Sequence, residues 1–374
     1  MRKEICMRFV KRISVLLLLA FLMISGVFAE DISGTLPNGI NWTLYDTGEL
    51  VIDGDGEIPD VRFTSASYWK EYISDITEVT IGDGITSIGN YAFSEFKNLE
   101  SVHIPYGVKR IGYSAFNGCA SLKSVNIPNS VESIGSSAFK NCSELYSVSL
   151  SKKMKTIPAS AFSYCSSLKE VDIPYGIVEI GYSAFSYCTS LAGVDLPESV
   201  IKIDSSAFDA CTFLKDVKMG DSLETIGAYA FYSCVSLENI VMSENLSTIG
   251  TQAFLGCSSL MSAELSDTVK GIGTNAFYSC DNITFYVNKD SYAHKYLKSN
   301  NLSYEYIVPG NVDGIGGVDE EDIRFLATNM LTGLNGMTDK QIEKANLCED
   351  YDESDKPIID IKDLIKLAQI VANR

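Results

Sequence analysis

The chain has 374 residues, and its 48 acidic and 30 basic side chains give a formal net charge of −18. This length is sufficient for two domains with a large buried core. The negative charge argues against nucleic acid and anionic membrane surfaces as partners, and it fits a secreted protein that binds cations.

Residues 1–29 have the pattern of a secretory signal peptide. A basic start precedes the apolar stretch ISVLLLLAFLMI, which is short for a membrane span, and the small residues Val27 and Ala29 follow. We expect cleavage before Glu30, and the alternative is a retained membrane anchor. The sequence therefore predicts a secreted, extracellular protein that is held at the cell surface by another protein.

Residues 30–74 predict a β-hairpin that caps the next domain. The stretch INWTLYDTGELVIDGDGEI alternates apolar and polar residues around Asp46-Thr47-Gly48. This pattern is typical of two antiparallel strands joined by a tight turn, which would cover the open edge of a β-structure.

A 23-residue repeat occupies residues 75–285. An Ala-Phe pair recurs nine times at this spacing, with the phenylalanines at Phe93, Phe116, Phe139, Phe162, Phe185, Phe208, Phe231, Phe254 and Phe277. A fixed period of this length predicts a solenoid, because one coil cannot bury enough apolar surface to fold alone. In LKSVNIP we expect Leu122, Val125 and Ile127 to point inward from a β-strand, with Ala-Phe in a turn or short helix on the opposite side.

A cysteine follows the phenylalanine by three residues in eight copies, and Phe96 takes that place in the first copy. We expect these thiols to be buried and unreactive, because cysteine packs as a small apolar residue and phenylalanine replaces it. A zinc site is not indicated, since the chain contains no CxxC pair.

These residues in register resemble the bacterial leucine-rich repeats of the BspA-like class. The resemblance implies a leucine-rich-repeat solenoid with a β-strand and a turn or short helix per repeat, used for adhesion or protein binding and not for catalysis. Residues 286–310, which include SYAHKYLKSNNLSYEYI, are interpreted as a closing cap and linker.

Residues 311–374 lack the repeat and contain two loop-helix units, with a helix expected at TDKQIEKAN between them. The first loop has oxygen ligands at calcium-loop spacing, with Gly316 at the sharp turn. Its predicted Ca²⁺ ligands are Asn311, Asp313, Gly317, Asp319 and Asp322. The alternative is a solvated acidic loop, and Ile315 stands where such loops usually carry an acidic residue.

The second loop has two possible registers. Counting back from Asp363 gives Asp352, Ser354, Asp360 and Asp363 as its predicted Ca²⁺ ligands, with Pro357 where glycine belongs. A register that starts at Asn346 with about six inserted residues remains open, and it makes Asp350 and Asp355 further candidates.

The paired loops and helices resemble a type I dockerin, a small all-α module of the EF-hand type. The resemblance implies a cohesin of a cellulosome scaffold as partner, in the degradation of plant polysaccharides. It places partner contacts after the ninth loop position and along each helix, at Glu320, Glu321, Ala327, Thr328, Ile361, Lys362, Ala368 and Gln369. The contact residues of the first unit differ in charge and size from those of the second. We therefore expect the module to bind its partner mainly through one of these two faces.

No catalytic motif indicates an enzyme. The two histidines, His103 and His294, lie outside known catalytic patterns. Three hypotheses remain: a protein-binding module, a carbohydrate-binding component that uses Tyr164 and Tyr187 as a stacking platform, and an enzyme without a recognisable site. The variable strand residues are small or acidic, which favours a polar or cationic protein ligand; they are Ser124, Ser147, Glu170, Asp172, Asp195 and Asp216.

Overall fold

A computed structural model describes residues 31–62, 68–307, 320–331, 345, 359 and 361–372. They fall into two compact units, of which the first contains the chain up to Leu260 together with Gly271–Asn282, and the second contains Met261–Lys270 and the chain from Ile283. The predicted signal peptide lies outside the described residues. Within the described part of the chain, no helix has the length and apolar character that a membrane crossing requires.

Short β-strands form most of the regular structure. In chain order they are β1 Ile32–Thr35, β2 Asn41–Leu44, β3 Glu49–Asp53, β4 Gly56–Ile58, β5 Glu78–Ile81, β6 Ile85–Ile88, β7 Ser101–His103, β8 Arg110–Ile111, β9 Ser124–Asn126, β10 Ser133–Ile134, β11 Ser147–Ser149, β12 Thr156–Ile157, β13 Glu170–Asp172, β14 Glu179–Ile180, β15 Gly193–Asp195, β16 Lys202–Ile203, β17 Asp216–Lys218, β18 Thr225–Ile226, β19 Asn239–Val241, β20 Thr248–Ile249, β21 Ser262–Leu265, β22 Gly271–Ile272, β23 Thr284–Val287 and β24 Tyr304–Tyr306. The helices are α1 Tyr292–Ser299, α2 Glu320–Leu331 and α3 Ile361–Ala372.

An antiparallel hairpin begins the first unit. Strands β2 and β3 pair with Leu44 opposite Leu50, and the turn at Asp46-Thr47-Gly48 joins them. On its other side β3 pairs with β5 in parallel, with Leu50 opposite Val79. The hairpin predicted around this turn is therefore present, and its last strand covers the edge of the first repeat strand.

Each coil of the repeat contributes two strands to two separate faces. Within the repeats the odd-numbered strands pair in parallel with a 23-residue offset in three groups, β5–β7, β9–β13 and β15–β19, as Val148 pairs with Val171. The even-numbered strands pair in parallel with the same offset, as Ile157 pairs with Ile180. The sequence predicted only the first of these strands, because two residues are too few to show an alternating pattern. The odd-numbered face is called the strand face below.

The third side of each coil is formed by turns, and the described coils contain no helix there. Residues with positive φ lie two positions before and after each phenylalanine, as Ser183 (52°) and Tyr187 (60°) do around Phe185. The backbone N–H groups of Phe185 and Tyr187 donate to the carbonyl oxygens of Ala207 and Asp209, at 2.8 and 2.7 Å. Neighbouring coils are therefore hydrogen-bonded on this turn side as well.

The phenylalanines form a continuous column of stacked rings in the core. Neighbouring ring centroids are 5.1–5.6 Å apart, and every phenylalanine in the column is fully buried or nearly so. Trp69 extends the column beyond its first ring, since it lies 5.3 Å from Phe93 with the ring planes 5° apart. The rings supply much of the apolar burial that holds the coils together.

The cysteines form a second buried column, and all eight in the repeats are free thiols; they are Cys119, Cys142, Cys165, Cys188, Cys211, Cys234, Cys257 and Cys280. Each Sγ donates to the carbonyl oxygen of the phenylalanine in the preceding coil at 3.1–3.3 Å. The prediction of buried thiols is confirmed. In addition to packing as apolar groups, the thiols form a hydrogen bond to the preceding coil.

In its described residues, the second unit contains a small parallel sheet and the helices α1, α2 and α3. Strands β21, β23 and β24 pair in that order. The Ser291 hydroxyl caps α1 by accepting the N–H of His294 at 3.0 Å. Helices α2 and α3 pack through Leu326 and Leu367, and Ala345 completes their buried cluster.

Candidate binding surface on the strand face

One position on the strand face lacks a side chain that the neighbouring coils have. The exposed position before the central valine of each strand holds Ser147, Glu170, Gly193 and Asp216 in successive coils. A Cβ atom added to Gly193 would meet, within 4 Å, only the carbonyl oxygen of Asp216, at 3.5 Å. Gly193 therefore leaves the space of one side chain open above the sheet.

A cavity of about 630 Å³ occupies this gap. Its floor is formed by the strands at Val148, Val171 and Val194, whose side chains belong to the core and are at most 8% exposed. The residues that line it come from β11, β13, β15 and β17, and β13 and β15 belong to different sheets. The cavity therefore spans an interruption in the strand ladder.

Acidic side chains surround the cavity. Glu170, Asp172, Asp195 and Asp216 all line it, and Lys169 is the cation among the lining residues. Within the described ranges, no group of His, Cys, Asp and Glu is arranged to hold a metal ion. An open, acidic depression suits a cation such as a basic side chain, because the carboxylates attract it.

Five of the six variable strand residues that the sequence analysis selected line this cavity, and Ser124 is the exception. Ala192 and Gly193, whose small size creates the depression, were not predicted from the sequence. A signal for both was present, because Ala192 and Gly193 stand where the previous coil has Lys169 and Glu170.

Most of the predicted calcium ligands lie outside the described residues; these are Asn311, Asp313, Gly317, Asp319, Asp352, Ser354 and Asp360. Asp322 lies in α2, and Asp363 lies in α3 with its side chain fully buried. No geometry of either loop is therefore described, and calcium binding at these residues stays a prediction.

The predicted partner contacts all lie on the two C-terminal helices, with Glu320, Glu321, Ala327 and Thr328 on α2 and Ile361, Lys362, Ala368 and Gln369 on α3. Thr328, Lys362 and Ala368 are exposed, whereas Ala327 is half-buried. The Thr328 hydroxyl donates to the carbonyl oxygen of Arg324 at 2.7 Å. Partner binding at these residues stays a prediction.

The two histidines lie far apart in sequence and in different units. His103 is exposed on β7. His294 is 7% exposed; its Nδ1 accepts the N–H of Asp290 at 3.0 Å, and its Nε2 lies 3.3 Å from the hydroxyls of Tyr304 and Tyr306. These contacts fix the position of His294 in its unit.

Comparison with known proteins identifies the repeat. A family profile described as "BspA type Leucine rich repeat region" matches residues 66–192 and 178–297 in six copies, which together span more than half of the chain. No curated protein sequence matches this one.

Several solved structures are similar to this chain. A leucine-rich repeat protein from Eubacterium ventriosum is 20% identical, with 69% of this chain and 85% of that chain covered and a TM-score of 0.39. A leucine rich cell surface protein from Faecalibacterium prausnitzii is 21% identical, with 75% and 100% covered and a TM-score of 0.34. The pneumococcal vaccine antigen PcpA is 16% identical, with 75% and 98% covered and a TM-score of 0.35.

Proposed function

Because the chain belongs to the BspA-type leucine-rich repeat family, we propose that it is a secreted, non-catalytic binding protein. Its repeats, residues 75–285, bind a cationic segment of a protein ligand on the strand face. Its C-terminal region, residues 311–374, is a dockerin-like module that attaches the repeats to a cohesin of a cellulosome scaffold.

The cavity above Gly193 carries the first part of this proposal. It is a concave part of the strand face, and four carboxylates line it. A net charge of −18 adds a long-range attraction for basic partners, which speeds their association. Rim charges of this kind contribute mainly to specificity and association rate.

Gly193→Trp tests this surface, because a Cβ atom at this position meets no atom closer than the carbonyl oxygen of Asp216, at 3.5 Å, and the indole would occupy the cavity. The probe is a fluorescent hexalysine peptide, measured by anisotropy at about 0.15 M salt. We expect Gly193→Trp to weaken binding by roughly tenfold or more. The matched control is Ser124→Trp at the same position of β9, three coils away, and it should bind like the unmodified chain. Equal binding by both variants would contradict a ligand site at Gly193.

Two observations support the docking part. The loop-helix units carry corresponding residues, and the equivalent leucines Leu326 and Leu367 are both buried between α2 and α3. This is the packing that a pair of calcium-loop helices requires, and the acidic loops before them have the oxygen ligands that Ca²⁺ prefers.

Titration of the full chain against a panel of cohesins, with and without a chelator, tests the docking part. We expect one cohesin class to bind in calcium and to lose binding in the chelator, because metal ligation and folding of such loops are coupled. Lys362→Glu should weaken this binding, whereas Lys97→Glu in the repeats should leave it unchanged. Binding that is unchanged by the chelator would contradict the role of calcium. If no cohesin bound, the dockerin-like function would be contradicted, and the test of the strand face would be unaffected.

A further inference from the structure

We propose that the open face of Tyr187, above Ala210, is a slot for the guanidinium group of an arginine on a protein partner. This slot lies on the turn side of the coils and shares no residue with the cavity above Gly193. It is therefore a second binding site, and it does not depend on the strand-face proposal.

The slot begins with a pair of stacked tyrosines. The rings of Tyr164 and Tyr187 lie 4.6 Å apart with their planes 6° from parallel, and they are 44% and 41% exposed. The Nζ of Lys140 lies over the Tyr164 ring, 5.9 Å from its centroid. One end of this stack is thus already covered by a cation of the protein itself, in a cation–π contact.

Among the described residues, Tyr164 is the ring stacked on Tyr187, and on other sides Tyr232 lies near enough to contribute to the raised pKa of Tyr187 without stacking on it. Tyr187 and Ala210 occupy the same position in successive coils, and the N–H of Tyr187 donates to the carbonyl oxygen of Asp209 at 2.7 Å. The methyl group of Ala210 is too short to cover a tyrosine ring. Since coils joined by backbone hydrogen bonds are about 4.8 Å apart, the space above Ala210 is about one ring thick. A planar group that enters it would continue the stack.

A carboxylate lies beside this space. The side chain of Asp209 is half-buried, and the Ser186 hydroxyl donates a hydrogen bond to it. Burial raises the pKa of Asp209, and the charge of Asp209 is the largest cause of the raised pKa of Tyr187. The carboxylate is therefore within electrostatic range of the Tyr187 hydroxyl and incompletely solvated, so that a cation between Asp209 and Tyr187 would gain from both groups.

Among cations, guanidinium fits this geometry best. It is planar, it stacks on aromatic rings, and it pairs with a carboxylate through two parallel hydrogen bonds. A lysine ammonium would lack the stacking and the bidentate pairing. A neutral sugar could stack on Tyr187 but would leave the charge of Asp209 uncompensated.

The test uses fluorescent peptides that contain arginine, lysine or citrulline separated by glycine, together with cellohexaose as a neutral sugar. Binding to the full chain is measured at about 0.15 M salt. The blocking variant is Ala210→Tyr, which should fold because Tyr164 and Tyr187 adopt the same positive φ at this position as Ala210 does (63°, 60° and 55°). The matched control is Ser279→Tyr, at the same position three coils away, where φ is also 60°.

We expect the arginine peptide to bind the unmodified chain about tenfold more tightly than the lysine and citrulline peptides. Ala210→Tyr and Asp209→Asn should each remove that preference, whereas Ser279→Tyr and Gly193→Trp should retain it. Asp209→Asn keeps the shape of the site, so it still tests the arginine preference if Ala210→Tyr does not fold. Equal binding of the arginine and citrulline peptides would overturn the proposal. It would also be overturned if cellohexaose bound and Ala210→Tyr abolished that binding, because the slot would then be a sugar site.

Discussion

The Sγ atom of Cys188 donates a hydrogen bond to the carbonyl oxygen of Phe162, in the preceding coil, at 3.2 Å. The same bond recurs for every cysteine of the column, so the thiols connect successive coils besides filling space. The carbonyl oxygen of Phe162 also accepts the backbone N–H of Cys165 at 3.2 Å, so the thiol is its second donor within the apolar core.

The buried thiols should resist polar thiol reagents in the native state. Burial raises the pKa of Cys119, Cys188 and Cys211 well above the range in which thiolates form at neutral pH, and only the thiolate reacts. We expect a negatively charged aromatic disulfide to label none of the eight repeat cysteines at pH 8, and all of them in denaturant. Mass mapping of the labelled peptides checks this, and rapid native labelling of any repeat cysteine would contradict the burial of that column.

The phenylalanine column should dominate stability. Phe185 lies 5.6 and 5.4 Å from the rings of Phe162 and Phe208, with no exposed surface. Phe185→Ala should lower the free energy of unfolding by about 3–5 kcal/mol, because it leaves a cavity between two rings. Tyr182→Ala, at a 54% exposed side chain, is the control and should change it by less than about 0.5 kcal/mol. Urea denaturation measures both, and similar losses would mean that the column is not the main apolar contact.

The left-handed residues of the turn side should limit which substitutions are tolerated. Ser183 has φ 52°, a conformation that is especially unfavourable for a β-branched residue. Ser183→Val should therefore lower stability by about 1–2 kcal/mol, whereas Ser183→Gly should not lower it. Thermal denaturation would show the difference. Ser124→Val, on an exposed strand position, is the matched control and should be neutral or stabilising.

Asp209 should make stability depend on pH in a defined direction. Burial raises its pKa in the folded protein above the ordinary value of 3.8, so the ionised carboxylate is disfavoured by folding. The penalty is present at neutral pH and disappears as the pH falls through the raised pKa to below 3.8. Asp209→Asn should therefore be more stable than the unmodified chain at pH 7, with the gain vanishing near pH 3.

Ser186→Ala gives a control of opposite sign for the same carboxylate. Its hydroxyl favours the charged form of Asp209, so its removal should destabilise the protein more at pH 7 than near pH 3. Denaturation series at both pH values would test the pair. A gain for Asp209→Asn that does not change with pH would exclude ionisation as its cause.

The sequence predicted much of a single coil. The inward positions of Leu122, Val125 and Ile127 follow from a local alternating pattern, and all three are buried. In the first copy of the repeat, Phe96 stands where the other copies have cysteine, which indicated that this position is apolar. Phe96 and the cysteines are all in the core. The two-residue even-numbered strands and the left-handed turns were not predicted, because such short elements carry no periodic signal.

By itself, then, the sequence determined the 23-residue period, the inward face of each coil and the identity of the repeat family. Only the tertiary structure decided which groups of successive coils contact each other and where space is left between them. Examples are the opening at Gly193, the space above Ala210 and the hydrogen bond from Cys188 to Phe162. The physical reason is that such contacts join residues about 23–26 positions apart. They depend on side chains in successive coils together, and no pattern within one coil records them.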